Sequence, residues 1–130
     1  MINDNLNISS IETYLDKIIK GKVSKTVFAG TLPNTISDDT KDLVLIDVVN
    51  VNDLDGYGKG MVNIFLYAKP TANGRKNVAQ LQKMEKAMNV LLESIDNEAY
   101  SFTRAYPAQQ DYDTALNWHF TIVALNIIIK

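Results

Sequence analysis

The chain contains no cysteine, which removes disulfide staples, thiolate zinc sites and cysteine nucleophiles together. Its core must hold by packing, and the absence is compatible with a reducing compartment. One histidine is present, too few for a histidine-built metal site. Neither sign of charge dominates: 13 Lys and Arg face 15 Asp and Glu, for a formal charge of −2, so no whole-protein field favours nucleic acid or an anionic membrane. The opening "MINDNLNISS" has neither a basic start nor an apolar run and does not resemble a secretory signal. A spanning helix needs ~20 apolar residues. The run after Trp118 is shorter and is interrupted by His119 and Asn126.

What the chain does have is an unusually apolar stretch at 117–130, "NWHFTIVALNIIIK". Odd positions read Thr121, Val123, Leu125, Ile127 and Ile129; even ones read Trp118, Phe120, Ile122, Ala124 and Ile128. A half-wet strand alternates apolar with polar, so apolar residues on both parities predict a strand buried on two sides. Thirteen extended residues span ~43 Å at about 3.3 Å each, against a diameter of roughly 36 Å for a compact domain of this size. The strand is therefore expected to bend, bulge or project.

Upstream, Ser9 and Glu12 have capping-box spacing. Ile11, Tyr14, Leu15, Ile18 and Ile19 then form a helical stripe, with Gly21 as a left-handed stop. "KVSKTVF" reads as a modest strand before the polar, turn-rich 29–42. Residues 43–51, "LVLIDVVNV", read as a central strand, the glycines of "NDLDGYGKG" as a hairpin tip, and "MVNIFLYA" as the returning strand with Val62, Ile64 and Leu66 on one side. Pro70 and "ANG" end it. Val78, Leu81, Met84, Met88, Leu91, Leu92 and Ile95 mark about five turns of helix. "AYSFTRAY", a loop "PAQQDYD" and the terminal strand read as a second hairpin. The expected fold is α+β in the order α-β-β-β-α-β-β: one domain over 1–130, with a flexible segment at 1–8. About five strands make a mixed or antiparallel sheet, and both helices lie on one face. Two helices most simply cover that one face, which leaves the other to a neighbouring subunit.

Side chains of the types that carry chemistry have a plainer reading in each case. Asp53, Asp55 and Gly58 match positions one, three and six of an EF-hand loop, but Tyr57 and Ile64 stand at positions five and twelve, so the segment reads as a hairpin tip. The glycines with Lys59 lack phosphate-loop spacing. His119 can be grouped arithmetically with Ser101 and Asp111, without the Gly-x-Ser-x-Gly elbow that would give the grouping meaning. Asp111 and Asp113 could pose as paired carboxylates, and ordinary turn chemistry accounts for them. Arg75 and Lys76 sit where a helix dipole disfavours cations, which leaves them available to a phosphate or an acidic partner residue, or simply solvated. Met84 and Met88 read as core. No acid, base and nucleophile converge. A non-catalytic protein without metal or cofactor is expected.

The element order, with "GKVSKTVFAGTLP" after the first helix, the long hairpin "LVLIDVVNVNDLDGYGKGMVNIFLYAK" and the "NVAQLQKMEKAMNVLLESI" helix, resembles the tail terminator or tail-completion proteins of long-tailed bacteriophages. That resemblance covers nearly the whole chain and rests on order, size and hairpin character, since the family has no signature motif. It implies a structural virion protein, assembled in the host cytoplasm into a ring, commonly of six copies. The ring caps the tail tube and joins it to the head through a head-completion or connector protein, without membrane or specific nucleic-acid binding. Within it, the hairpin residues Asp53, Asp55, Tyr57 and Lys59 would form an intersubunit or tube-facing loop. Arg75 and Lys76 would offer a second polar contact. Replacing Tyr57 and Lys59 together with Ala would then weaken assembly and leave the monomer folded. The alternative reading is an oligomeric module that binds a small molecule or peptide on the same sheet face, lined by Phe65, Tyr67, Trp118 and Phe120.

Overall fold

The computed structural model describes residues 4–130 of the chain. Residues 1–3 of the N-terminal segment lie outside the described residues; from Asp4 to Leu6 the backbone forms a 3-10 turn. Helix α1 then runs over Ile8–Ile19. Its N-cap is Asn7, whose side chain accepts the Ser9 amide at 2.8 Å, so the start predicted at Ser9 with Glu12 is too late. Asparagine is as good a cap as serine and stands earlier in the chain. Gly21, at φ 84°, follows the C-cap Lys20 as expected.

The sheet contains β1 (Val27–Ala29), β2 (Asp42–Asp53), β3 (Gly58–Ala68), β4 (Tyr100–Arg104), β5 (Gln109–Asp113) and β6 (Trp118–Ile129). Helix α2, Val78–Leu92, lies between β3 and β4 in sequence. The class is α+β, with a sheet order of β1-β2-β3-β6-β4 and β5 also paired to β6. Six strands replace the five expected. The added one is β5, in the segment predicted as a loop.

Strand β1 is shorter than predicted and pairs parallel to β2, which demands a crossover; residues 30–41 supply it without a helix. β2 and β3 form the long hairpin, with a register shift at Val48/Asn50. β6 pairs with β3 from Gly58↔Ile129 to Ala68↔His119 without a shift. Its other side is shared between β4 and β5. The terminal strand therefore does not bulge against β3, and it extends past it by Trp118 alone: His119–Ile129 are matched residue for residue by the 11 residues of β3.

Pro107 explains why β4 and β5 are separate. The two strands occupy one line along β6, and proline cannot donate to a ladder, so the chain leaves the sheet between Arg104 and Gln109.

Both helices pack on one face. Ile11, Leu15 and Ile19 of α1, with Leu81, Met84, Met88 and Leu91 of α2, close over Val44, Ile46, Val62, Ile64, Leu66, Val123, Leu125 and Ile127. Each such side chain contributes roughly 1.5–3 kcal/mol on burial. Helix α2 stops at Leu92, one turn before the predicted end, yet Ile95 still reaches this core. Val78, expected in the stripe, is 62% exposed.

Candidate functional site

The β2–β3 turn is tight. Leu54 N–H donates to the Tyr57 carbonyl at 2.8 Å, and Asp55 and Gly56 between them have φ of 59° and 100°. Two positive-φ residues of the Asp-Gly type define a type I′ turn, whose twist suits a hairpin. Asp53 is occupied locally, its Oδ1 accepting the Asp55 amide at 3.1 Å. Leu54 and Tyr57 are exposed. The tip turns back within two residues of β6's final pairing, so it forms an edge of the sheet rather than a long arm.

Gly58 and Gly60 carry a constraint of another kind. A Cβ on Gly58 would overlap the Leu6 side chain of the N-terminal turn, and one on Gly60 would lie 2.5 Å from the Asn50 carbonyl oxygen. The hairpin is thus wedged beneath the start of α1.

Arg75 and Lys76 precede α2 and are not part of its first turn. Asn77 is the N-cap, accepting the Gln80 amide at 3.1 Å, so the helix end is already satisfied. Thr71 and Arg75 close a turn through their backbones at 2.9 Å. This loop follows the last residue of β3, whereas Asp53–Lys59 surround its first, and β3 alone spans ~33 Å. The two sets of residues suggested by sequence are therefore at opposite ends of the sheet.

The other constellations separate in the same way. Ser101 pairs with Ile128 and Asp111 with Phe120, so Ser101 sits ~30 Å along β6 from His119. His119 packs edge-on against Tyr112, 4.8 Å between ring centres. Asp113 ends β5 and opens the turn into β6: its Oδ2 accepts the Tyr67 hydroxyl at 3.0 Å, while Oδ1 accepts the amides of Ala115 and Leu116, as an aspartate in a turn does. Burial, followed by the adjacent Asp113 carboxylate, pushes the Tyr67 hydroxyl well above its ordinary pKa. Among the described residues, no three His, Asp or Glu side chains are grouped to hold a metal ion.

The sheet face away from the helices is divided into zones. At one end Leu43, Tyr67 and Trp118 are buried, with Leu32 and Ile36 of the 30–41 crossover packed against them alongside Phe28, Leu45, Phe65, Leu116 and Phe120. Phe120 meets Phe65 edge-on at 5.5 Å and Tyr67 at 4.9 Å. Beyond the crossover, Met61, Ile122 and Ile128 are half-buried, and Asp47, Asn63 and Asn126 lie among them. The Asn63 Oδ1 is enclosed and accepts no hydrogen bond from the described residues. Buried amide oxygens are usually satisfied. Sequence parity marked this face as apolar, but it could not show that the 30–41 loop would cover one end of it.

Several concavities lie elsewhere among the described residues, and two of them bear on the site. An open groove of about 910 Å³ runs between α2 and the β4–β5 break, lined by residues including Leu92, Phe102, Arg104 and Tyr106. A cleft of about 490 Å³ lies between the end of α1 and the start of α2 and includes Lys22, Lys25, Lys41 and Lys83. At the cleft, Asp42 accepts from the buried Ser24 hydroxyl and, at 2.7 Å, from the Gln80 amide. Sequence reading missed these lysines because they come from three separate segments.

No protein-family model matches the chain, and no curated protein sequence matches it. No helix among the described residues is long and apolar enough to cross a membrane.

Proposed function

We propose that this is a structural bacteriophage or prophage virion protein, a tail terminator or completion factor. In this reading it forms a ring that caps the tail tube and joins it to the head. The observation that carries the proposal is the half-covered sheet face. Met61, Ile122 and Ile128 are only half-buried there, apolar surface suited to a protein partner able to exclude water. A closed head-to-tail assembly covers such a surface on every copy. The α-β-β-β-α order with its long hairpin supports the same reading by resemblance.

The test is native mass spectrometry over a wide concentration range, alone and with purified tail tubes, together with negative-stain imaging. A closed species is expected, about 87 kDa if six copies of the 14.5 kDa chain assemble, with a central hole or seated on a tube end. A protein that remains monomeric and does not bind tubes overturns the proposal.

A further inference from the structure

We propose that the β2–β3 turn of one copy docks on the lysine-lined cleft of a second copy. This contact deepens the ring reading and rests on it. Lys22, Lys25, Lys41 and Lys83 line one cleft, and none of them makes an ion pair among the described residues, where the salt bridge found joins Lys20 to Asp16. Two carboxylates, Asp39 and Asp42, stand there against these four ammonium groups, and the hydrogen bonds Asp42 accepts come from the neutral Ser24 and Gln80 side chains. The cleft therefore has a local positive excess in a chain whose formal charge is −2.

The complementary feature is on the same molecule. The turn presents the carboxylates of Asp53 and Asp55, flanked by Leu54 and Tyr57 at 42% and 43% exposure. Acidic groups around an exposed leucine and tyrosine make a surface with both charge and apolar area to contribute, a common composition for a docking element. The type I′ geometry fixes its shape before contact, so little ordering entropy is lost.

Position makes the contact intermolecular. Asp42, in the cleft, begins β2, and Asp53, in the turn, ends it. They are the two ends of a 12-residue strand, ~36 Å apart when extended, so a turn cannot reach the cleft of its own chain. Joining unlike surfaces is a heterologous interface, which closes as a ring where the rotation between copies permits and otherwise runs on as an open filament. Opposed charges on the two surfaces disfavour turn-to-turn and cleft-to-cleft pairing and so set the direction.

Sedimentation of the full chain at low and high salt provides the test, with three variants. The turn is made basic by D53N/L54K/D55N/Y57K, which keeps Asn at the positive-φ position. The cleft is made acidic by K25E/K83E, and a third chain carries both sets. Concentration-dependent association that weakens with salt is expected for the natural chain. Each single set should raise the apparent Kd at least tenfold, and the combined chain should recover most of that loss. Association insensitive to both sets, a combined chain no better than either, or a strict monomer would overturn the contact. Ring formation on tail tubes that ignores both sets removes this contact and leaves the capping function standing. Charge-sensitive association in a protein that never binds tubes does the opposite.

Discussion

The Tyr67 hydroxyl donates to the Asp113 carboxylate over 3.0 Å, bridging β3 and β5 across the intervening β6. This bond ties the polar edge strand to the centre of the sheet. Y67F removes it, and hydrogen bonds to charged groups contribute roughly 1.5–3 kcal/mol. A loss near the lower figure is expected by urea denaturation, because Asp113 keeps two backbone donors.

The same pair predicts an alkaline limb. The Tyr67 pKa is raised on folding, so the folded state holds its proton where the unfolded chain, titrating near 10, has released it. The stabilisation is complete below about pH 10 and declines as pH rises further. Tyr14 and Tyr100 are shifted in the same direction, burial being the first cause for each. Y67F should flatten the fall in stability above pH 10 without abolishing it, as measured by denaturation midpoints from pH 8 to 11.

Gly58 and Gly60 should respond differently to alanine. At Gly60 the obstacle is a backbone carbonyl, which cannot move without breaking the ladder, while at Gly58 the nearest atom is the far end of Leu6. G60A is expected to cost about 1–3 kcal/mol. G58A should cost less, and adding L6A should recover part of the strain it causes. Thermal melts of the four chains check this ordering.

Asp42 holds the entry to β2 against the α1–β1 turn and α2 at once. D42A leaves the buried Ser24 hydroxyl without its carboxylate partner, and a loss of about 1–3 kcal/mol is expected. D42N should lie between the two chains in chemical denaturation.

On the far face, I122E places a charge among half-buried apolar side chains, where an unpaired charge is costly to enclose. The ring should be lost while the circular dichroism of the monomer is retained. A ring that persists with I122E would place the interface elsewhere.

Much of the fold was readable in the sequence because it follows from periodicity. Val62, Ile64 and Leu66 fell on the helix-covered face as their alternation required, and the α1 and α2 stripes met them there. β5 was not readable. All of its residues but Asp113 are exposed, so no apolar alternation marks it, and its place is set by the turn at Asp113 and Asn117 and by its ladder with β6. The N-cap was missed for a smaller reason: Asn7 and Ser9 both suit the role, and only the backbone chooses between them. Of the site residues, the Asp53–Lys59 turn was recognised as a tip, but the lysine cleft was invisible because its members are distant in sequence.

The position of β6 constrains how the molecule is made. β3 on one side and β4 with β5 on the other are joined in the sheet only through it. As synthesis proceeds, β1 to β3 can pair early, yet β4 and β5 have no ladder to join until Trp118–Ile129 has emerged. Until then β3 presents an open apolar edge, a hazard for pairing with other chains. Folding to completion depends on long-range closure by a single strand, which favours a slow final step and makes that strand the place where truncation would be least tolerated.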